Sequence, residues 1–173
     1  MILFLDLATR TGWAHDGESA LVPTTGLIAS PHPTGNVQTG YSFGSTFSYF
    51  RARLGTLVHE VKPEIVGFEA ILPYTMFILQ GMAAVTEMVC HDLGVPCEQI
   101  HLGTIKKFFA GSGKAVKSDM IARCVQLGWD IGRPRDHNRA DAAAGWATLT
   151  SMRQPKGAVA MRLAMGALGA VQA

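Results

Sequence analysis

Two short apolar runs in this 173-residue chain each end in a single carboxylate, and no other sequence feature limits the possible folds as strongly. Residues 2–5 (ILFL) lead into Asp6, and residues 65–68 (IVGF) lead into Glu69. Wholly apolar runs of this length are typical of strands that are buried inside a sheet. A buried carboxylate is costly unless it is paired, hydrogen-bonded or bound to a cation. The pattern therefore predicts a ligand site at the carboxyl ends of two strands.

A third acid, Asp141, lies within residues 140–147 (ADAAAGWA), whose small side chains would let a helix pack closely on a sheet. Clustered carboxylates raise one another's pKa values unless a cation lies between them, and oxygen-only sites suit Mg²⁺ or Mn²⁺ rather than Zn²⁺. Two such ions about 3.5–4 Å apart can stabilise the attacking water and the leaving oxygen of a phosphodiester. The three acids therefore predict phosphodiester hydrolysis, with Mg²⁺ as the cofactor and Mn²⁺ as its substitute.

Each acid also has a purely structural interpretation. Asp6 would cap the turn that follows it, and Glu69 would form an ion pair with Arg10. Asp141 would only serve the start of its helix, because Asn138 stands three residues before it in a capping relation. Taken one at a time, the three acids leave both interpretations open.

The order of the predicted elements indicates one mixed α/β sheet flanked by helices. Three strands joined by hairpins come first, and residues 16–17 (DG) have the composition of a hairpin turn. The predicted strands are 2–5, 13–15, 27–29, 64–69 and 95–102, and the predicted helices are 47–61, 76–93, 104–110, 117–127 and 138–152. Residues 30–44 are predicted to be a loop. Residues 1–153 would form the domain, and residues 154–173 a C-terminal tail with at most a weak helix.

Composition supports a folded domain and says little about a partner. A hydrophobic content of 48% argues against disorder, and a formal net charge of +2 shows no general basic excess. No signal peptide or membrane span is predicted. Cys90, Cys97 and Cys124 lack metal-ligand spacing, which predicts buried free thiols in a reducing, cytoplasmic setting.

Positive charge is concentrated locally. Lys106, Lys107, Lys114 and Lys117 fall within a dozen residues that also include two glycines. Lysine contacts to phosphate give salt-sensitive affinity that does not depend on sequence, although charge clusters are usually solvated surface. Lys117 is also a candidate for stabilising charge in the transition state. Arg10 is a further candidate for DNA binding, and three arginines lie near the last acid: Arg133, Arg135 and Arg139.

Four segments occur in a fixed order over residues 2 to about 150: ILFLD (2–6) with TGWA (11–14), IVGFE (65–69), GSGKAVKSDM (111–120) preceded by IKKF (105–108), and ADAA (140–143). Together they resemble the motifs of the RuvC family of Holliday junction resolvases. The resemblance implies an RNase H-like fold, a homodimer, and Mg²⁺-dependent nicking of branched DNA such as four-way junctions. It also implies that Asp6, Glu69 and Asp141 are metal ligands.

The chain departs from the family at two places. The fourth ligand, an Asp or sometimes a His in the family, is replaced by Asn138, so that Asp136 and His137 are alternatives. The segment after Glu69 is short, and the aromatic residue that enters the junction in the family would be Tyr74 or Phe77. Core or dimer contacts are the more ordinary role for residues 76–79.

These observations predict a structure-selective endonuclease acting on Holliday junctions or other branched DNA. A non-catalytic junction-binding module and an RNA-processing nuclease of the same fold are the alternatives. An ATP-using protein of the actin and sugar-kinase type would need two such domains, for which the chain is too short.

Overall fold

Residues 1–19, 21–36, 40–72 and 75–153 are described by a computed structural model, in which strands and helices alternate. The strands are β1 (Ile2–Asp6), β2 (Arg10–Ser19), β3 (Val22–Ala29), β4 (Thr34–Asn36), β5 (Gly40–Ser42), β6 (Ile65–Glu69) and β7 (Cys97–Ile100). The helices are α1 (Gly44–Val61), α2 (Phe77–Asp92), α3 (Leu102–Ala110), α4 (Lys117–Gln126) and α5 (His137–Arg153).

Five of the strands form one mixed sheet in the order β3-β2-β1-β6-β7. The first three strands are antiparallel neighbours, whereas β6 runs parallel to both β1 and β7. The predicted mixed five-stranded sheet is therefore confirmed. Strands β4 and β5, which lie between β3 and α1 in the sequence, pair with each other in a separate antiparallel sheet.

Helices cover both faces of the sheet, because successive side chains of a strand point to opposite sides. Phe4 belongs to the core that is shared with α3, α4 and α5. Leu3 and Leu5 belong to the core on the other face, which they share with α1 and α2. The apolar run of β1 is thus explained by burial on both faces.

Helix α5 lies unusually close to the sheet, as its small residues predict. Its alanines from Ala140 to Ala147 are almost fully buried. A Cβ atom on Gly145 would collide with the ring of Phe4, and one on Gly67 would press on both Phe4 and Leu149. The ring of Phe4 therefore occupies the space that the two glycines leave open. This allows α5 to pack closely on β1 and β6.

Three sequence-based details are wrong. The DG pair at residues 16–17 is not the hairpin turn, because β2 continues to Ser19 with an irregularity between Asp16 and Ser19. Asp16 is instead held in the sheet, where its carboxylate accepts hydrogen bonds from Ile2 N (2.8 Å) and Trp146 Nε1 (2.9 Å). The predicted loop contains the β4–β5 hairpin, and Cys97 is exposed because it begins the edge strand β7.

The predicted tail, residues 154–173, lies outside the described residues. Within the described part of the chain, every helix is too short or too polar to cross a membrane.

Gly12 on β2 provides a test of the close packing of α5. A Cβ atom there would collide with the backbone carbonyl of Asn138, which cannot move away without displacing the helix. Gly12→Ala should therefore lower the free energy of unfolding by about 1–3 kcal/mol, the usual cost of overpacking.

Gly55→Ala in α1 is the matched control, because a Cβ atom there meets nothing within 4 Å. It should be neutral or stabilise the protein by up to about 1 kcal/mol. Urea denaturation midpoints measure both changes, and equal midpoints for the two variants would show that α5 does not require this close approach.

Candidate active site

The pairing of β1 with β6 places two carboxylates side by side. Asp6 and Glu69 are the last residues of these parallel strands, one position beyond the registered pair Leu5–Phe68. By alternation, Asp6 faces the same side of the sheet as Phe4, which is the side covered by α5. The two predicted acids therefore meet at the edge of the sheet, beneath α5.

The approach of α5 brings the third carboxylate to the same place. Gly12 is the residue opposite Asp6 in the β1–β2 pair, and it is also the residue against which the Asn138 carbonyl packs. Asp141 follows Asn138 by three residues, so that both side chains lie on one face of the helix. A missing side chain on β2 thus allows α5 to direct Asp141 and Asn138 toward Asp6.

Asp136 fixes the first turn of α5. Its Oδ1 atom accepts hydrogen bonds from Asn138 N (2.9 Å) and Arg139 N (3.2 Å). Its Oδ2 atom pairs with Arg10 Nη2 at 3.3 Å. Burial alone would raise the pKa of Asp136, but these hydrogen bonds and the nearby charge of Arg10 lower it. Asp136 is therefore an ionised helix cap, and both of its oxygens already have partners.

The acids share one pocket with two lysines. Its volume is about 260 Å³. The lining residues are Asp6, Ala8, Glu69, Leu102, Lys106, Lys117, Met120, Asn138 and Asp141. Larger grooves of about 430 Å³ between α1 and α2 and about 530 Å³ between α3 and α4 each contain one acid beside an arginine. Of these three pockets, the smallest is therefore the one in which several charged groups converge.

Asp6 carries the largest electrostatic penalty of the site. Burial, followed by the nearby carboxylates of Asp141 and Glu69, raises its pKa from 3.8 to about 8, against the opposing effect of Lys117. Burial also raises the pKa values of Glu69 and Asp141. Lys106 opposes the shift at both of these groups. Without a cation, the three carboxyl groups cannot all be ionised at low cost near neutral pH.

The donors of this pocket fit Mg²⁺ or Mn²⁺. Mg²⁺ prefers oxygen ligands, keeps several waters and often takes only one or two carboxylates. Within the described ranges, no three His, Cys, Asp or Glu side chains converge tightly enough to hold one ion. The donors are nevertheless oxygens alone, and a cation would relieve the repulsion that Asp6 experiences from Asp141 and Glu69.

Asn138 occupies the position of the uncertain fourth ligand. It is 8% exposed and lines the pocket. Neither Asp136 nor His137 is among the lining residues. The geometry thus favours Asn138 over its two neighbours as a residue that faces a ligand.

The predicted basic residues separate into two groups. Lys106 of α3 and Lys117 at the start of α4 line the pocket. Lys107 and Lys114 are exposed outside it. Arg10 is 58% exposed and partly engaged by Asp136.

Sequence reasoning missed His101. It directly follows β7, whose last residue Ile100 pairs with Glu69. Its Nδ1 atom accepts a hydrogen bond from Gly103 N (3.2 Å), and its charge is close enough to lower the pKa of Glu69. No local signal marks His101, because only the pairing of β6 with β7 brings it near Glu69.

No protein-family model and no curated protein matches this sequence. Solved structures do share its fold. RuvC from Thermus thermophilus superposes with a TM-score of 0.62 at 21% identity, covering 88% of this chain and 95% of that one. T. thermophilus RuvC in complex with Holliday junction substrate gives 0.59 at 19% identity, with 98% and 96% covered.

The yeast mitochondrial Holliday junction resolvase Ydc2 gives a TM-score of 0.57 at 12% identity and covers 99% of this chain and 85% of its own. The chain therefore has the RuvC fold, which is of the RNase H-like type. The fold inferred from the four motifs is confirmed.

Removal of the Asp6 charge should stabilise the ion-free protein. Because folding raises its pKa from 3.8 to about 8, Asp6 costs little stability below pH 4 and progressively more as the pH rises to about 8. In EDTA at pH 8, Asp6→Asn should therefore raise Tm by at least about 3 °C, the shift that roughly 1 kcal/mol gives in a chain of this size. The gain should be smaller at pH 5.

Glu64→Gln is the control, because Glu64 is exposed and pairs with the N-terminal amine. Addition of Mg²⁺ should raise Tm for the parent and for Glu64→Gln but not for Asp6→Asn. A lower Tm for Asp6→Asn at pH 8, or a gain that is independent of pH, would contradict this electrostatic account.

Proposed function

We propose that this chain is a structure-selective endonuclease that cleaves phosphodiester bonds in Holliday junctions or other branched DNA. The observation that carries the proposal is the convergence of Asp6, Glu69 and Asp141 with two lysines in one pocket. The RuvC fold supports it, since one of the superposed structures is RuvC in complex with Holliday junction substrate.

In this proposal, Asp6, Glu69 and Asp141 bind Mg²⁺, or Mn²⁺ in its place, and Asn138 contributes a neutral oxygen. Two bound ions would supply stabilisation of the attacking water and of the leaving oxygen. Asp6 would be the central member of this set, because its strand pairs with β6, which carries Glu69, and Gly12 opposite it admits the start of α5, which carries Asp141.

The lysines act on the phosphate. Lys106 and Lys117 line the pocket and lower the pKa of Asp141, so that their charges lie close to the acids. A phosphate that enters the pocket is attracted by these charges, which offset its repulsion from the carboxylates. Lys117 is proposed to stabilise the charge that develops in the transition state. Lys107, Lys114 and Arg10 would contact the DNA backbone outside the pocket.

A homodimer is proposed as the active assembly. Several large apolar side chains in and beside α2 are exposed: Leu72, Met76, Phe77, Met88 and Leu93. Exposed apolar patches commonly mark protein interfaces. Met76 and Phe77 are 68% and 64% exposed, which favours the dimer alternative over the core alternative for these two residues.

Phe77 stacks in a tilted arrangement on Phe43, with ring centroids 5.0 Å apart. Its exposed ring stays a prediction for the aromatic that enters a junction, as an alternative to a place in the dimer interface, and Tyr74 lies outside the described residues.

The junction-binding module without catalysis is the second candidate, and Asn138 is the observation that favours it. An amide brings no charge, so that the pocket has one negative charge fewer than four carboxylates would provide. Such a module would bind junctions in a salt-dependent way and release no product at any concentration of Mg²⁺ or Mn²⁺.

A panel of labelled four-way, three-way, flap, duplex and single-stranded DNA and RNA tests the proposal. With Mg²⁺ or Mn²⁺, the parent chain should cut branched DNA in preference to duplex and RNA. Asp6→Asn should abolish cutting but keep junction binding, and Glu64→Gln should leave both unchanged. Preferred cutting of RNA would indicate an RNA-processing nuclease instead. Retained cutting by Asp6→Asn would show that this pocket is not the active site.

Asn138→Asp tests whether residue 138 faces the ions. One added charge interacts with a unit charge 4 Å away by about 4 kcal/mol at an effective dielectric constant of 20, part of which the repulsion among four acids removes. The variant should bind Mn²⁺ roughly tenfold more tightly or better in a calorimetric titration. Unchanged affinity would place residue 138 away from the ions.

A further inference from the structure

The segment before α5 forms a closed loop, defined here as the arginine loop (residues 131–136). Asp136 N donates a hydrogen bond to the Ile131 carbonyl at 3.0 Å, which joins the two ends of the loop. Ile131 is buried at the base, and Gly132 N donates to Asp130 Oδ1 at 2.8 Å. The residues between these ends project into solvent, and two of them are arginines.

The arginine loop is tied to the sheet at its base. Thr25 of β3 donates a hydrogen bond from Oγ1 to the Asp130 carbonyl at 2.7 Å. Arg139 donates from Nε to Thr25 Oγ1 at 2.8 Å and from Nη2 to the Thr25 carbonyl at 3.0 Å. Arg139 is only 19% exposed and is committed to this structural role.

Arg133 and Arg135 have no such commitment. Both are exposed, and neither forms an ion pair with a carboxylate in the part of the chain that the structure describes. Four other arginines do form ion pairs: Arg10, Arg51, Arg139 and Arg153. The contacts that anchor the loop do not involve the guanidinium groups of Arg133 and Arg135. A structural role in the loop therefore does not account for these two arginines.

The position of the arginine loop explains what the two guanidinium groups could bind. The loop contacts β2 through the Arg10–Asp136 pair, and Asp130, the residue just before it, is bonded to Thr25 of β3. The acids lie at the ends of β1 and β6, and the helices that carry Lys106 and Lys117 follow β7. In the sheet order β3-β2-β1-β6-β7, the arginine loop therefore lies on the β2–β3 side of the two strands that carry Asp6 and Glu69.

We propose that the arginine loop is a phosphate clamp, in which Arg133 and Arg135 bind the DNA backbone where it leaves the pocket on the β2–β3 side. This inference rests on the proposed function, because it assumes that DNA occupies the pocket. The planar fork of a guanidinium group matches a phosphate through two parallel hydrogen bonds. Because the loop is already closed and anchored, it loses little conformational entropy when it binds.

The test measures how junction binding depends on salt, using fluorescence anisotropy in EDTA so that nothing is cut. Each phosphate contact contributes about 0.9 to the slope of log K against log salt on duplex DNA. Loss of two contacts in Arg133→Gln/Arg135→Gln should lower that slope by roughly 1.8. Arg133→Lys/Arg135→Lys, which keeps the charges, should restore most of the slope.

The control variant is Arg51→Gln/Arg53→Gln, which removes the same two charges from α1 on the other face of the sheet. It should keep the parent slope. Circular dichroism checks that each variant is folded.

If the parent binds and the double Gln variant has the parent slope, the clamp is refuted although the nuclease proposal stands. An equal loss of slope in the control variant would also refute the clamp. If the parent binds with the expected slopes but cuts nothing with Mg²⁺ or Mn²⁺, the clamp stands and the nuclease proposal fails. If the parent binds no DNA, both are refuted.

Discussion

The repulsion among three carboxylates that share one partly buried pocket is the constraint on which the rest of the structure depends. Burial and the neighbouring acids raise the pKa of Asp6 to about 8, and Lys117 offsets only part of this effect. A fold that needed only stability would gain by replacing these acids with apolar residues. The arrangement becomes favourable when cations bind. The same three carboxylates therefore lower the stability of the ion-free protein and provide the ligands for its proposed chemistry.

The architecture keeps this unfavourable group of charges together by close backbone packing. Gly12 admits the start of α5, while Gly67 and Gly145 leave room for the ring of Phe4 beneath the helix. Asp136 caps α5 and also closes the arginine loop, so that one residue sets both the direction of Asp141 and the placement of Arg133. The third acid and the arginine loop are therefore positioned by the same residue.

The sequence was sufficient for the sheet and the three acids because each left a local pattern. Apolar runs ending in Asp6 and Glu69 predicted buried strands, and the small residues around Asp141 predicted a helix packed on a sheet. The hairpin turn was misplaced because Asp16 is held by Trp146, a contact between residues 130 positions apart that no local pattern reveals. His101 was missed for the same reason, since only the β6–β7 register brings it near Glu69.

Diffraction from crystals grown with Mn²⁺, recorded near the manganese absorption edge, tests the central claim most directly. The account predicts anomalous peaks inside the pocket, within bonding distance of carboxylate oxygens of Asp6, Glu69 and Asp141. An ordered pocket without a peak, or Mn²⁺ bound only elsewhere on the molecule, would contradict it.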